Sequence, residues 1–244
     1  FPFSSVTMGP VYYRAWIVLV YLLALSGFLL PGKKRWTVPV CCGVSTLCLA
    51  ILLSSWNFWR GPGSVTALDV GQGESILILT LVDCGGSGYE NAGDTVAGYL
   101  GDFGVRRLDL LVVTHFHNDH ANGAARLLER MEVGLLALPD VDQESTIRQE
   151  LLSMAERTGT EVRFIRSDTA LELDGERTVR LFAPLGAGET NEEGLSVLVS
   201  QGDFDTLITG DMGADMERVL LARTELPRVE VLAVGHHGSR YSTG

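Results

Sequence analysis

The acidic residues of this chain are confined to one part of it. All 30 Asp and Glu lie between residues 61 and 244, and residues 1–60 hold none. The first part carries Arg14, Lys33, Lys34, Arg35 and Arg60, set around two apolar runs, Val11 to Leu30 and Trp36 to Trp56. No other feature limits the folding options as much, because about 20 apolar residues in a helix match a bilayer core of roughly 30 Å. Tyr12, Tyr13 and Trp16 mark one end of the first run, and Trp36, Trp56, Phe58 and Trp59 bracket the second, the pattern of interfacial anchors. The sequence therefore predicts two transmembrane helices over 1–60 and a lipid membrane as partner. The positive-inside rule puts the Lys33–Arg35 loop in the cytoplasm and both chain ends outside, with Arg14 and Arg60 pulling against that vote. A cleaved signal peptide does not fit, since the first run lacks a basic leader and a second run follows. A buried helical hairpin of a soluble protein is the alternative. The chain does not begin with Met and stops just past a motif, so it is expected to be a piece of a longer membrane protein.

Residues 61–244 form the second expected domain. Thirty acids against 14 arginines leave it at −16, within a whole-chain charge of −11. About 180 residues suffice for one domain with its own core. VTALDV, ESILIL, LDLLVVTH, GLLAL and EVRFI read as strands, followed by the paired runs ALEL/RTVRLF and LSVLVS/DTLIT, and a last strand in VEVLAVG. Helical patterns fall at Gly93–Phe103, Ala124–Met131, Glu144–Arg157 and Ala214–Arg223. Mixed strands with interspersed helices fit a layered α/β (α+β) sandwich with helices outside. Cys84 stands alone in this part, so no internal disulfide staples it.

HFHNDH, residues 115–120, concentrates three of the chain's 5 histidines with one Asp. It follows a strand, where loop side chains converge. Imidazole and carboxylate suit a borderline divalent cation, so His115 and His117 can share one metal, and Asp119 and His120 can reach a second beside it. LITGDM puts Asp211 at another strand end, and VLAVGHHGS puts His236 and His237 at a third. Alone, Asp211 reads equally as a helix N-cap, whereas for the His pair a turn before Gly238 is the lesser reading. Together the three stretches predict a two-metal site bridged by Asp211.

LDVGQGES, LVDCGG, THFHNDHANG, LITGDM and VLAVGHHGS, following apolar spans, resemble the metallo-β-lactamase superfamily, and within it the ComEC family of natural-competence DNA-uptake channel proteins. The resemblance covers roughly residues 64–244. It implies an αββα sandwich with metals at one edge, in a cell-membrane protein that works with other DNA-uptake machinery. It further implies a hydrolase that degrades the non-transforming strand of incoming duplex DNA at the outer face. By position, His115 and His117 would hold the first metal, and Asp119, His120 and His236, preferred over His237, the second. Asp211 would bridge and Asp119 would orient the nucleophile. Asp83 would orient the site from behind the ligands, a turn residue being its other reading. Asp69, Gln72, Gly73 and Ser239 match motif positions of unassigned role. Two divalent ions, Zn or Mn, are the implied cofactors.

Three departures qualify this. Such sites usually supply a third His to the first metal, and no His lies between His120 and His236. Asn191 falls near that ligand's place, as a contact to substrate or metal-bound water, or simply as a turn residue. Only Thr80 separates the SILI and LVDCG strands, where a hairpin needs about two residues, so the register that positions Asp83 is in question. Finally, nucleic-acid binding favours a basic face, and Arg106–Arg107 is the only adjacent basic pair in residues 61–244, which reads more simply as solvated surface. A hydrolase of another phosphate ester or thioester, and a non-catalytic domain supporting the channel, are the competing functions.

Overall fold

The computed structural model describes residues 11–29, 36–60, 65–78, 80–103, 105–174, 177–185, 193–240 and 242, with side chains from 13 to 29 and 36 to 53 in the first part, and without the side chain of residue 174. The chain divides into two compact units: Phe1–Pro62 with Gly98–Arg106, and Gly63–Ala97 with Arg107–Gly244.

The two apolar runs are helices α1 (Val11–Leu29) and α2 (Thr37–Arg60). The Trp16 indole N–H donates to the Gly43 carbonyl at 2.8 Å, and Phe28 meets Trp36 edge-on. Much of the remaining apolar surface is exposed, including Val18, Leu22, Leu25, Phe28, Val40, Val44 and Leu52. Among the described residues no helix is long and apolar enough to cross a membrane.

The second unit holds two sheets. The first runs β1 (Thr66–Ala67), β2 (Ile76–Leu77), β3 (Leu81–Val82), β4 (Arg107–Val112), β5 (Glu132–Pro139) and β6 (Glu161–Ile165) in spatial order. Strands β3 to β6 are parallel. Their crossovers include α3 (Ala92–Asp102), the short α4 (Asn118–Ala121), α5 (Ala124–Arg130) and α6 (Thr146–Thr158). Ser145 caps α6, its hydroxyl accepting from Arg148 N–H, and Gly159 closes it in the left-handed conformation at φ 73°. The second sheet has the order β11 (Val231–Ala233), β10 (Phe204–Ile208), β9 (Ser196–Gln201), β8 (Arg177–Phe182), β7 (Thr169–Asp174). It is antiparallel except for the β10–β11 pair.

Val82, Leu110, Val112, Ala137 and Ile165 of the first sheet pack with Val179, Leu181, Val197, Val199 and Ile208 of the second in one buried cluster. Leu198, Leu207 and Phe182 point the other way, onto Leu220 of α7 (Ala214–Arg223). Alternation along each strand thus gives sheet-on-sheet packing with helices outside, the sandwich expected from the sequence.

Two expected strands are much shorter than read. VTALDV contributes only Thr66–Ala67 and ESILIL only Ile76–Leu77. The second case resolves the missing turn. Leu77 pairs with Leu81, and Ile78 N–H donates to the Thr80 carbonyl at 2.8 Å, so strand residues are given up to make the connection. The parallel pairing of β3 with β4 is kept, Val82 opposite Val112.

A candidate two-metal site at the sheet edge

Strands β3 and β4 end side by side, and each releases a loop toward the same edge. Val82 is followed by Asp83, Val112 by Val113–Thr114–His115. Asp83 adopts φ 59°, a left-handed conformation rare without a local purpose. Its fully buried carboxylate accepts from Thr114 N–H at 2.7 Å (Oδ1), from the Thr114 hydroxyl at 2.7 Å (Oδ2), and sits 2.8 Å from His120 Nδ1 (Oδ2). The carboxylate thus lies against Thr114 and His120, one residue away from His115.

Glycine makes the loop packing possible. A Cβ on Gly85 would lie 2.3 Å from the His120 nitrogen, and one on Gly73 would lie 2.4 Å from both Gly85 O and Gly86 Cα. Backbone therefore stacks on backbone: Cys84 N–H donates to His120 O, Gly123 N–H to Cys84 O, and Glu74 N–H to Asp119 O. Asn122 clamps the Gly86 peptide from both sides, at 3.1 and 2.8 Å.

The second sheet contributes from the ends of β10 and β11. Asp211 follows β10, and its Oδ2 lies 3.6 Å from His115 Nε2. Its Oδ1 lies 3.0 Å from His120 Nε2, yet the alignment is not that of a hydrogen bond: His115 Nε2, His120 Nε2 and Asp211 Oδ1 are all buried without a hydrogen-bond partner. The 3.0 Å separation alone suggests a bond, but alignment decides, because interactions fall steeply off-axis. After β11 the chain turns sharply, with His236 at φ 50° and His237 at φ 53°. His236 N–H donates to Gly210 O, which ties this turn to the Asp211 loop. The turn carries His237 Nε2 to 3.1 Å from Asp119 Oδ2 and 3.9 Å from Asp211 Oδ1.

Two sets of ligand atoms result. Asp119, His120, Asp211 and His237 form one, and His115, His117 and Asp211 the other, each set lying within 4.8 Å of one another, with Asp211 common to both. The geometry differs from expectation at one residue: His237, not His236, faces Asp119 and Asp211. Both histidines of this turn are exposed; their rings stand 6.5 Å apart at 72°, and it is His237 that reaches the acidic side chains. Asn191 lies outside the described residues. Asp69 is exposed and accepts from Gly71 N–H at 3.2 Å, shaping its turn. Gln72 is bonded through its backbone to Ser87, so both belong to loop structure rather than to the ligand sets. Ser239 N–H donates to the His236 carbonyl and closes the His turn.

Glu74 and Thr114 are functional neighbours that the motif reading passed over. The Glu74 carboxylate lies 3.8 Å from His120 Nδ1, in a group with Asp83. The signals were present, Glu74 directly after Gly73 and Thr114 directly before His115.

Charge is concentrated here. Burial pushes the Glu74 carboxyl up, aided by Asp83 and Asp211, to about 8. Burial acts to lower the His120 imidazolium, but the Asp83 and Asp211 carboxylates outweigh it and hold it up at about 11. His115 is pushed down to about 4 by burial and by the charge of His120. Burial opposes ionisation of Asp211, but His120 dominates and brings it down to about 2. The surrounding carboxylates thus favour positive charge at His120. The orphaned imidazole nitrogens and carboxylate oxygen, converging on a shared acid, fit a pair of divalent ions.

The Metallo-beta-lactamase superfamily model matches residues 60–244. ComE operon protein 3 of Bacillus subtilis (strain 168) is 26% identical over 230 residues, covering 85% of this chain and 29% of that protein. Recombination protein 2 of Haemophilus influenzae is 31% identical over 232 residues, covering 91% of this chain and 27% of that protein. Competence protein ComA of Neisseria gonorrhoeae is 27% identical over 190 residues, covering 75% and 25%. The chain spans less than a third of the length of these relatives, whose names agree with the ComEC resemblance. Among solved structures, the diiron β-hydroxylase CmlA of Streptomyces venezuelae aligns with TM-score 0.39 at 19% identity, covering 68% of this chain and 38% of that one. A metallo beta lactamase from Hirschia baltica aligns with TM-score 0.35 at 17% identity, covering 58% and 60%. With the family model matching most of its length, this chain belongs to the metallo-beta-lactamase superfamily.

Proposed function

We propose that the second unit is a metal-dependent phosphodiesterase that cuts DNA during uptake. The observation that carries this is the set of three buried, unpartnered atoms on His115, His120 and Asp211, facing one another at the end of the sheets. Desolvating such groups without partners is costly, and a pair of cations satisfies all three. DNA as substrate is supported by the relatives, one named as a recombination protein and two for competence or the ComE operon.

His115, His117 and Asp211 would hold one ion, and Asp119, His120, Asp211 and His237 the other, as Zn or Mn. When bound, the two ions supply a water that is nucleophilic at neutral pH and offset charge on phosphodiester oxygens. The chain's own residues do the rest. Asp119, 38% exposed and anchored by His237 Nε2, accepts the proton of the attacking water and orients it. Asp83 and Thr114 fix the imidazoles from behind. Glu74, its side chain 11% exposed and its carboxyl pushed up to about 8, favours the protonated form beside His120 and so limits the negative charge at the site.

The exposed apolar side chains of α1 and α2 fit contact with lipid although, over the described residues, neither helix is long and apolar enough to cross a membrane, and placing the domain on the outer face beside other uptake machinery rests on the competence relatives. Only that side gives access to the strand that does not enter. The acidic balance of the domain leaves duplex guidance to the rest of a longer protein.

The test is cleavage by the purified chain with Mn²⁺ or Zn²⁺, across DNA, a chromogenic phosphodiester and a thioester. DNA cleavage that Asp119→Ala abolishes is expected. Thioester turnover without DNA cleavage would favour another hydrolase, and a reporter fused after Gly244 that proved cytoplasmic would sink the outer-face assignment.

A further inference from the structure

Thr114 sits behind the site, and its single hydroxyl touches both arms of it. As a carboxylate, Asp83 has only acceptor atoms. It takes the Thr114 backbone N–H on Oδ1 and the Thr114 hydroxyl proton on Oδ2, each at 2.7 Å. A hydroxyl has one proton, and this one is committed to Asp83. The 3.0 Å contact between Thr114 Oγ1 and His115 Nδ1 then has one polarity: His115 donates from Nδ1. The His115 Nε2 lone pair is thereby directed into the space it shares with Asp211. Asp83 also faces His120 Nδ1 at 2.8 Å, which leaves His120 Nε2 for the same space. One carboxylate therefore orders two imidazoles, His120 directly and His115 through Thr114.

We propose that Thr114 is a positioning residue that locks His115 in the tautomer able to bind a cation through Nε2, and that the ion held by His115, His117 and Asp211 depends on it while the other ion does not. The inference rests on the two-metal reading. Its selectivity follows from the ligand sets: the first offers three groups, so freeing one imidazole weakens it strongly, whereas the second offers four and takes its orientation from Asp83 directly.

The test uses the full chain with Thr114→Val, which removes the hydroxyl but keeps the N–H to Asp83, and Thr114→Ser, which keeps both. Zn²⁺ titration against a chromophoric chelator reads two binding constants, assigned by His117→Ala and His237→Ala. Thr114→Val is expected to weaken the His117-dependent constant by about 10–100-fold and to leave the His237-dependent one within about threefold, with Thr114→Ser restoring the first. Nitrogen NMR of the metal-free chain is expected to show the His115 proton on Nδ1. Equal loss of both constants, no loss of either, or a His115 proton on Nε2 in the unsubstituted chain would overturn the proposal. An unsubstituted chain that takes up no Zn²⁺ defeats the two-metal reading instead, and the His115 spectrum still decides the relay.

Discussion

The two sheets contribute to one site by opposite means. The first sheet supplies Asp83, Thr114, His115 and His120, all buried at 2% exposure or less, on loops stacked backbone to backbone through glycines. The second supplies Asp211 on a short loop and His237 on a strained turn, with His237 still 30% exposed and reaching Asp119, itself 38% exposed. The first arm is built before any ion arrives. The second closes over it and keeps the side open to solvent, where, under the proposed function, a substrate phosphate and a water would exchange. Preorganised ligands held by hydrogen-bonded neighbours are what a metal site needs for affinity, and an open coordination position is what it needs for turnover.

Removing the keystone of the buried arm should have the largest effect. Asp83→Ala leaves the His120 imidazolium buried without its main partner, an error worth about 3–5 kcal/mol. Chemical denaturation should show that loss, and chelator competition should show both ions weakened. Loss confined to one ion would break the claim that Asp83 serves both imidazoles.

Gly85→Ala should come next. The added Cβ meets the His120 nitrogen at 2.3 Å, backbone that cannot swing aside. About 1–3 kcal/mol of destabilisation is expected from such overpacking, read as a lower thermal midpoint. An unchanged midpoint would mean the glycine stack is looser than described.

The open arm should respond more mildly. His237→Ala is expected to weaken one ion by about 10–100-fold with little change in stability, and His236→Ala to leave both ions in place. Metal titration that ranked the two histidines the other way would reverse their assignment.

The smallest effect is a pH slope. In the metal-free chain, Glu74 is raised to about 8 and His120 to about 11, so the folded state binds more protons than the unfolded one. Their contribution is fully present below the unfolded values, is lost for Glu74 between about pH 4.5 and 8, and for His120 between about 6.5 and 11. The thermal midpoint of metal-free protein should therefore fall from about pH 6.5 toward 9, and Glu74→Gln should flatten the part below 8. Metal-loaded protein should lack the His120 portion, because the ion replaces its Nε2 proton.

Much of this was legible in the sequence, for identifiable reasons. HFHNDH, Asp211 and the His pair stood out because residues of metal-ligand type gather at strand ends, and the structure brings His115, His117, Asp119, His120, Asp211 and His237 into two neighbouring groups. EVRFI and the Ala214–Arg223 helix fell where periodicity put them, since local pattern and burial agree there. What failed was what depends on tertiary geometry. Thr80 looked like too short a turn because the reading kept ESILIL whole, whereas the chain surrenders strand residues to turn. His236 and His237 could not be separated by pattern, since consecutive left-handed residues decide which imidazole faces Asp119. Glu74 and Thr114 looked like ordinary polar residues until the fold placed them against His120, Asp83 and His115.

The central claim is that this edge binds two divalent ions through one shared carboxylate. The most direct measurement is Zn²⁺ stoichiometry of the purified chain by metal analysis after equilibrium dialysis, for the unsubstituted protein and for Asp211→Ala. Two equivalents per chain, with both weakened together by Asp211→Ala, is the predicted result. No bound metal, or one ion indifferent to Asp211, would contradict it.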